Sequence, residues 1–342
     1  TPQISSGWLL DPARHRRLFP ADIRPQSHEI IRTWAFYTIA KALLHEDTIP
    51  WRHAVISGWI LDPERKKMSK SRGNVVTPMH LLDEYTADGA RYWAAGARLG
   101  SDTAFDPKVF RIGKRLVTKL FNAGKFVLAQ AAPEGPIGAE LDRAFAHRLA
   151  VLVERVTASF EEFDFAHALQ DTEAFFWNDF TDTFLELAKG RAYEGDPSAV
   201  AALRLGLRVL LRQFAPVLPY VTEEIWSWAF AEDTGHASIH AAPWPGRRDF
   251  EQVAAPADPA SFEAAVGCFA AINKRKSEAG VSVGRAVVRL ALAAAPATLT
   301  RLGPVAADVM GAARVAEYAL HPRAGLDSGF EVVEVEFAPL ET

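Results

Sequence analysis

Cysteine is nearly absent from this chain. Cys268 is the only one in 342 residues, which excludes an internal disulfide and any paired C-x-x-C zinc motif. Its apolar, helix-like surroundings make it a small buried hydrophobe, as expected in a reducing compartment. The ten histidines are scattered without ligand spacing, so no structural metal is expected. No apolar run approaches the ~18–20 residues that span a bilayer. The opening Thr1-Pro2-Gln3 has neither the basic nor the apolar region of a secretory signal, so a cytoplasmic protein with no membrane partner is expected. A large charge excess is missing too. Thirty-eight Lys and Arg against 42 Asp and Glu give −4, which argues against a protein that coats nucleic acid non-specifically. A local basic face would still suffice to bind one. Repeats and low-complexity tails are absent.

What remains is an ordinary globular composition, 49% hydrophobic and 23% charged, and enough length for two or three cores. Residues 53–61 are short, apolar and β-branched, end at Asp62-Pro63, and read as a buried strand. A long apolar-periodic helix opens at Ser27 and ends near His45. After the next loop, Thr77-Pro78 supplies an N-cap and a first-turn proline. A helix through Leu81, Leu82 and Tyr85 follows, and a second begins near Thr86. Residues 1–108 therefore mix strand, loop and helix. Residues 109–240 read as helices over 107–131, 139–160, 164–192 with a possible kink, 198–214 and 219–230, separated by Pro- and Gly-bearing breaks. Such short connections favour an antiparallel bundle. A Pro/Ala-rich linker at 241–258 leads to a small α/β unit at 259–342: helix 261–278, strand 287–293, helix 297–310, strands 315–320 and 330–337.

The most informative stretch is Lys67-Met68-Ser69-Lys70-Ser71, followed at once by Arg72-Gly73-Asn74. Its cationic side chains, two hydroxyls and glycine cannot be buried together. A loop of this kind can close over a polyphosphate, since each lysine offers a compact point charge with three donors on a flexible stem. A solvated basic loop is the ordinary alternative; the strand-loop-helix setting weighs against it. The pentapeptide, with its trailing Gly-Asn, resembles the KMSKS loop of class I aminoacyl-tRNA synthetases. The stretch from Arg24 to Trp34 resembles the helix that crosses to the last strand of the nucleotide-binding sheet in the valyl branch of that family. In the helical region, Phe176-Trp177-Asn178-Asp179-Phe180-Thr181-Asp182 with Glu186 to Arg191 is similar to a helix of class I anticodon-binding domains. So is Leu210 to Trp226, with Ala215 where that pattern usually has histidine. Core packing is the ordinary reading of both stretches: Trp177, Phe180, Leu210, Leu211, Phe214 and Trp226 read as helix-helix contacts.

The resemblance implies a mixed fold: the C-terminal part of a Rossmann-like α/β catalytic domain, an all-α anticodon-binding bundle, then a small α/β domain. It implies a monomeric valine-tRNA ligase using valine, ATP with its accompanying Mg2+, and tRNA-Val. An isoleucyl enzyme, a split enzyme, or a non-catalytic tRNA-binding module descended from a synthetase are the alternatives. Lys70 is implied as the principal catalytic cation and Lys67 as the second, with Met68, Ser69, Ser71 and Gly58 completing the ATP-contacting set. Gly58 would admit the adenine ring, or would simply be a bulge glycine. Two basic stripes are candidate tRNA-phosphate contacts: Arg204, Arg208 and Arg212 at i, i+4 and i+8, and Arg111, Lys114, Arg115 and Lys119 on the first bundle helix. For each, a solvated face is the alternative. No His-x-Gly-His occurs in the sequence. The expectation is therefore a C-terminal portion of a longer enzyme, inactive alone.

Overall fold

The computed structural model describes residues 2–69, 71, 73–75, 79–133, 135–326 and 329–339. Lys70, Arg72 and the Thr77-Pro78 helix start lie outside the described residues. The chain divides into two compact units, residues 1–115 with 159–168, and residues 116–158 with 169–342.

The first unit begins with α1 (Pro2–Ser6) and α2 (Pro12–Leu18). Asp11 caps α2, its carboxylate accepting from Arg14 N at 3.0 Å, and Pro12 takes the first turn, where no N–H is needed. Strand β1 (Ala21–Ser27) follows, then a 3-10 turn, a π-helical turn (Ile31–Ala35) and α3 (Phe36–Glu46). The expected helix from Ser27 is thus regular only over its second half. Strand β2 (Trp51–Ser57) returns parallel to β1, with Ala21 opposite Trp51 and Ser27 opposite Ser57. Ser6 Oγ lies 2.7 Å from His15 Nδ1, and His15 Nε2 2.6 Å from Glu46 Oε1, so one polar row joins α1, α2 and α3.

The expected continuous buried strand at 53–61 is corrected on both counts. It breaks at Gly58-Trp59 into β2 and the two-residue β3 (Ile60–Leu61), and most of β2 is exposed or half-buried. Helix α4 (Met79–Ala95) is kinked at Thr86 (φ 70°), whose hydroxyl accepts from Gly89 N at 3.4 Å and restarts the helix. Strand β4 (Thr103–Ala104) pairs with β3, and α5 (Pro107–Leu128) begins after it. Leu81, Tyr85 and Phe110 form a buried cluster, with Trp93 stacked on Phe110 at 5.1 Å.

The second unit contains the later turns of α5, then α6 (Glu140–Glu161) up to residue 158, α7 (Phe165–Ala174) from residue 169, a π-helical run (Phe175–Phe184) and α8 (Leu185–Tyr193). The last three are one helical path whose expected irregularity is this π run; Thr183 Oγ1 bonds Asn178 O five residues back at 2.7 Å. Helix α9 (Pro197–Phe214), capped by Asp196, is buried on nearly every side. Phe145 and Phe180 pack on it at Gly206 and Phe176 meets its Phe214, while Phe184 stacks on Phe145 with ring centroids 3.8 Å apart. Gly206 is required here, because a Cβ would sit 2.7 Å from the Phe180 ring. Then come α10 (Pro219–Ser227), α11 (Phe230–Thr234), α12 (Ser261–Glu278), β5 (Val287–Ala294), α13 (Pro296–Leu302), α14 (Ala306–Ala312), β6 (Val315–Pro322) and β7 (Glu331–Phe337). The helix expected at 297–310 is two, divided at Gly303-Pro304. Strand β5 is central, parallel to β6 and antiparallel to β7.

Polar bonds tie these pieces together. Arg191 on α8 pairs with Asp142 on α6 (2.6 Å), Asp196 (2.9 Å) and Asp308 on α14 (2.6 Å). Burial opposes its charge, yet these carboxylates outweigh burial and hold the guanidinium pKa above its ordinary value. Residues 241–258, read as a linker, are strapped down: Glu140 accepts from the amides of Ala257 (2.9 Å) and Asp258 (3.1 Å). Asp142 is fully buried, so Asp142→Ala leaves Arg191 with only Asp196 and Asp308 and deprives the Ser198 hydroxyl of its acceptor, and should destabilise the second unit by about 1–3 kcal/mol. Urea unfolding measures this, and a loss within ~0.5 kcal/mol would show the network to be inert.

Candidate functional site

The loop that follows β3 is built from its base upward. Asp62-Pro63-Glu64-Arg65 turns tightly: Arg65 adopts φ 62°, Arg65 N donates to Asp62 O (2.9 Å) and Asp62 N to Lys66 O (2.8 Å). An antiparallel bridge pairs Lys67 with Leu61. The Asp62 carboxylate, only 3% exposed, accepts from Lys66 N at 2.7 Å through one oxygen and from Asn74 Nδ2 at 2.7 Å through the other. Those bonds, Asn74 foremost, hold its pKa below the usual carboxylate value. Asn74 also donates to Lys67 O (3.3 Å) and accepts from Ser69 N (3.0 Å). One amide side chain therefore stitches three points of the loop.

Lys67 points away from that stitch. Its Nζ donates to Glu29 Oε1 at 2.7 Å and lies 4.4 Å from the centre of the Trp59 ring. Hydrogen bonding to Lys67 lowers the Glu29 pKa. Trp59 is fixed in turn by its amide on Asp102 Oδ1 (2.7 Å) and by the His28 ring at 4.8 Å. Ser69 and Ser71 hydroxyls bond each other at 3.2 Å, and Met68 is half-buried. Among the described residues the loop brings the Lys67 ammonium and the Ser69 and Ser71 hydroxyls to within reach of solvent, donors that suit an oxyanion-rich ligand. Among the described residues no group of three or more His, Cys, Asp or Glu could hold a metal ion, and no helix is long and apolar enough to cross a membrane.

Comparison with known proteins decides the family. Residues 5–106 match the family described as tRNA synthetases class I (I, L, M and V), and residues 142–290 the anticodon-binding domain of tRNA ligase. Valine–tRNA ligase of Thermobifida fusca is 45% identical over 350 residues, covering 100% of this chain and 38% of that relative. The Salinispora arenicola valine–tRNA ligase is 46% identical over 340 residues, covering 91% of this chain and 39% of its own length. The chain belongs to the class I aminoacyl-tRNA synthetases. It spans about 38% of the length of the relatives it matches. Among solved synthetases of this class, the fold is shared with an Agrobacterium radiobacter K84 LeuRS in ternary complex (TM-score 0.57, 23% identity, 74% of this chain and 33% of that one). It is shared also with Mycobacterium tuberculosis methionyl-tRNA synthetase (TM-score 0.59, 21% identity, 70% and 50%).

Within this synthetase chain the remaining expected site residues divide clearly. The space that a side chain at Gly58 would fill is taken by the chain itself: a Cβ would lie 2.3 Å from Ser101 O and 2.6 Å from Asp102 N. Close backbone packing accounts for this glycine without an adenine ring. Arg212 is not on a free face. It is 7% exposed, donates to Asp249 and to Pro243 O (3.3 Å), and holds residues 243–249 against α9. Arg204 pairs with Asp233. Arg208 is left with a 3.6 Å contact to Asp249 and a buried Nε without a partner; burial first, then its arginine neighbours, lowers its pKa. On α5, Lys114 donates to Glu84 O (2.7 Å) and Lys119 to Asp182 (3.2 Å). Arg111 and Arg115 are exposed and carry no ion pair among the described residues.

Sequence reasoning named Asn74 only as part of the motif and missed Asp62, Glu29 and Trp59 as members of the site. Asp-Pro before the loop and Gly-Asn after it were the available signals for the first pair. Nothing local marks Glu29, 38 residues from Lys67. Gly58→Ala should force the 101–102 backbone away and destabilise the first unit by roughly 2–3 kcal/mol, the upper range for overpacking. An unchanged melting profile would contradict the packing account. Acid should loosen the loop base: with the Asp62 pKa depressed, its contribution is complete above the ordinary value of 3.8 and is lost only as pH falls below it. Amide exchange at Lys66 and Ser69 between pH 5 and 3 reports this, and protection that falls already between pH 7 and 5 would rule Asp62 out as the cause.

Proposed function

We propose that these residues serve a valine-tRNA ligase, which joins the valine carboxylate to the α-phosphate of ATP with release of pyrophosphate and then passes the valyl group to the 3′ end of tRNA-Val with release of AMP. The observation that carries this reading is the Lys67–Asn74 sequence following the Asp62 turn, in a chain 45% identical to a valine–tRNA ligase. In that reading, residues 1–108 give the loop-bearing part of the catalytic domain, 109–240 the anticodon-binding bundle, and 259–342 a small α/β domain after the 241–258 strap. The enzyme acts as a monomer in the cytoplasm. Magnesium belongs to the substrate, carried in on the triphosphate.

Activation displaces pyrophosphate from the α-phosphorus, and negative charge grows on the bridging and β/γ oxygens. The protein's task is to hold the triphosphate in line and place positive charge where that growth occurs. Lys70 is assigned the main cationic contact. Lys67 is the second, once phosphate oxygens displace Glu29 from its ammonium. Ser69 and Ser71 offer hydroxyl donors once their mutual bond opens. For tRNA phosphates, exposure favours Arg111 and Arg115 on α5 over the partly buried Arg208, which shares Asp249. The Asp233 and Asp249 pairings leave Arg204 and Arg212 poorly placed to serve.

In an enzyme of the relatives' full length, Lys70→Ala should lower the kcat of valine-dependent pyrophosphate exchange by about 10²–10³, with KM for tRNA nearly unchanged. Exchange at the wild-type rate would remove Lys70 from the mechanism. Changing Arg111 and Arg115 to Gln should flatten the dependence of log K for tRNA on log salt by about 0.7–0.9 per lost contact. An unchanged slope would make that stripe an ordinary solvated face.

A further inference from the structure

Burial cannot fix a lysine- and serine-rich backbone, so polar bonds to the main chain have to do it. Among the described residues, one side chain does this at three points. Asn74 bonds Asp62 Oδ2 (2.7 Å), Lys67 O (3.3 Å) and Ser69 N (3.0 Å). The other end of the loop is already rigid, because Asp62 closes the 62–66 turn through its backbone and its second oxygen, and Lys67 bridges to β3. Asp62 and Asn74 therefore clamp the two ends of the motif together across 12 positions of sequence. Resting on the functional reading above, we infer that Asn74 is a positioning residue for ATP activation, acting with the buried Asp62 carboxylate to fix the backbone from Lys67 to Ser69 before substrate binds.

The chemistry of position 74 is specific. An amide both donates and accepts, which is what a carboxylate at 62, a carbonyl at 67 and an N–H at 69 together demand. Alanine there leaves a buried carboxylate oxygen unpaired and frees the loop end. Aspartate keeps the acceptor for Ser69 N, but sets a second carboxylate 2.7 Å from the first, an arrangement that requires a shared proton. Preordering matters because a loop that must be fixed during catalysis misplaces its charges for part of the time, and a displacement near 1 Å can lower a rate by about 10².

Two measurements on the full-length enzyme test the clamp. In valine-dependent pyrophosphate exchange, Asn74→Ala should lower kcat by about 10–100-fold while KM for valine and the affinity for tRNA change less than twofold. Asn74→Asp should be equally slow at pH 8 and recover at least several-fold toward pH 6, as the carboxylate pair takes up its proton, whereas Asn74→Ala should show no such recovery. A purely structural role would not produce that pH contrast. Trypsin cleavage after Lys66 and Lys67, followed under native conditions without ATP, is independent of activity and should speed up at least tenfold in Asn74→Ala with the global melting temperature unmoved. Unchanged cleavage, or wild-type kcat in Asn74→Ala, overturns the clamp. A wild-type enzyme that shows no valine-dependent exchange overturns the functional reading instead, and the trypsin comparison still decides the clamp.

Discussion

The constraint on which the site depends is that its most useful groups cannot be buried. A run of lysines and serines needs water or phosphate around it, so it gains nothing from the hydrophobic packing that orders the rest of the chain. Order has to come from backbone and from one or two neutral or paired polar groups at the base. Here Asp62 and Asn74 provide it, with the carboxylate buried and the amide half-buried. Lys67 is held in a different way, by a carboxylate and an indole face that leave its ammonium partly open to water. Glu29 and Trp59 keep that cation from wandering in the free enzyme without sealing it off, since the pair remains open to water and hence weak.

Desolvation also sorts the arginines of the bundle. Three arginines on one face of α9 look equivalent on a helical wheel, but α9 is packed on almost every side and its surroundings supply two carboxylates. Arg212 is consumed in anchoring residues 243–249, where removing its partner would leave a buried charge. Arg208 is left under-satisfied. The same logic places Arg191 at the centre of three carboxylates, where it acts as a bolt between α6, α8 and α14. In this helical unit the charged residues that matter most to stability are the ones spacing alone would assign to the surface.

How much of this could be read in advance follows from what kind of force sets each feature. The bundle helices were legible within one to three residues, because Pro197, Pro219, Asp196 and the Gly and Pro breaks punctuate strong apolar periodicity. The kink at Thr86 and the irregular stretch within 164–192 were also visible. Strand β1 was not: Asp22, Arg24, Pro25 and Gln26 carry no strand signal, and only pairing with β2 makes them one. The reason for Gly58 was hidden because the backbone that crowds it lies at Ser101 and Asp102. The motif itself stood out by its letters, while the partners that hold it did not. Motifs are local, and the contacts at Glu29 and Asp62 arise from the fold.

The central claim is that this loop handles phosphate in the service of valine activation. The most direct test is to run ATP–pyrophosphate exchange with the full-length enzyme on valine, isoleucine, leucine and methionine in parallel, at equal ATP and at saturating and sub-saturating amino acid. The account predicts that valine has the highest kcat/KM, with the branched analogues at least about tenfold lower, the discrimination that one methylene allows. A higher kcat/KM for isoleucine, leucine or methionine would contradict it.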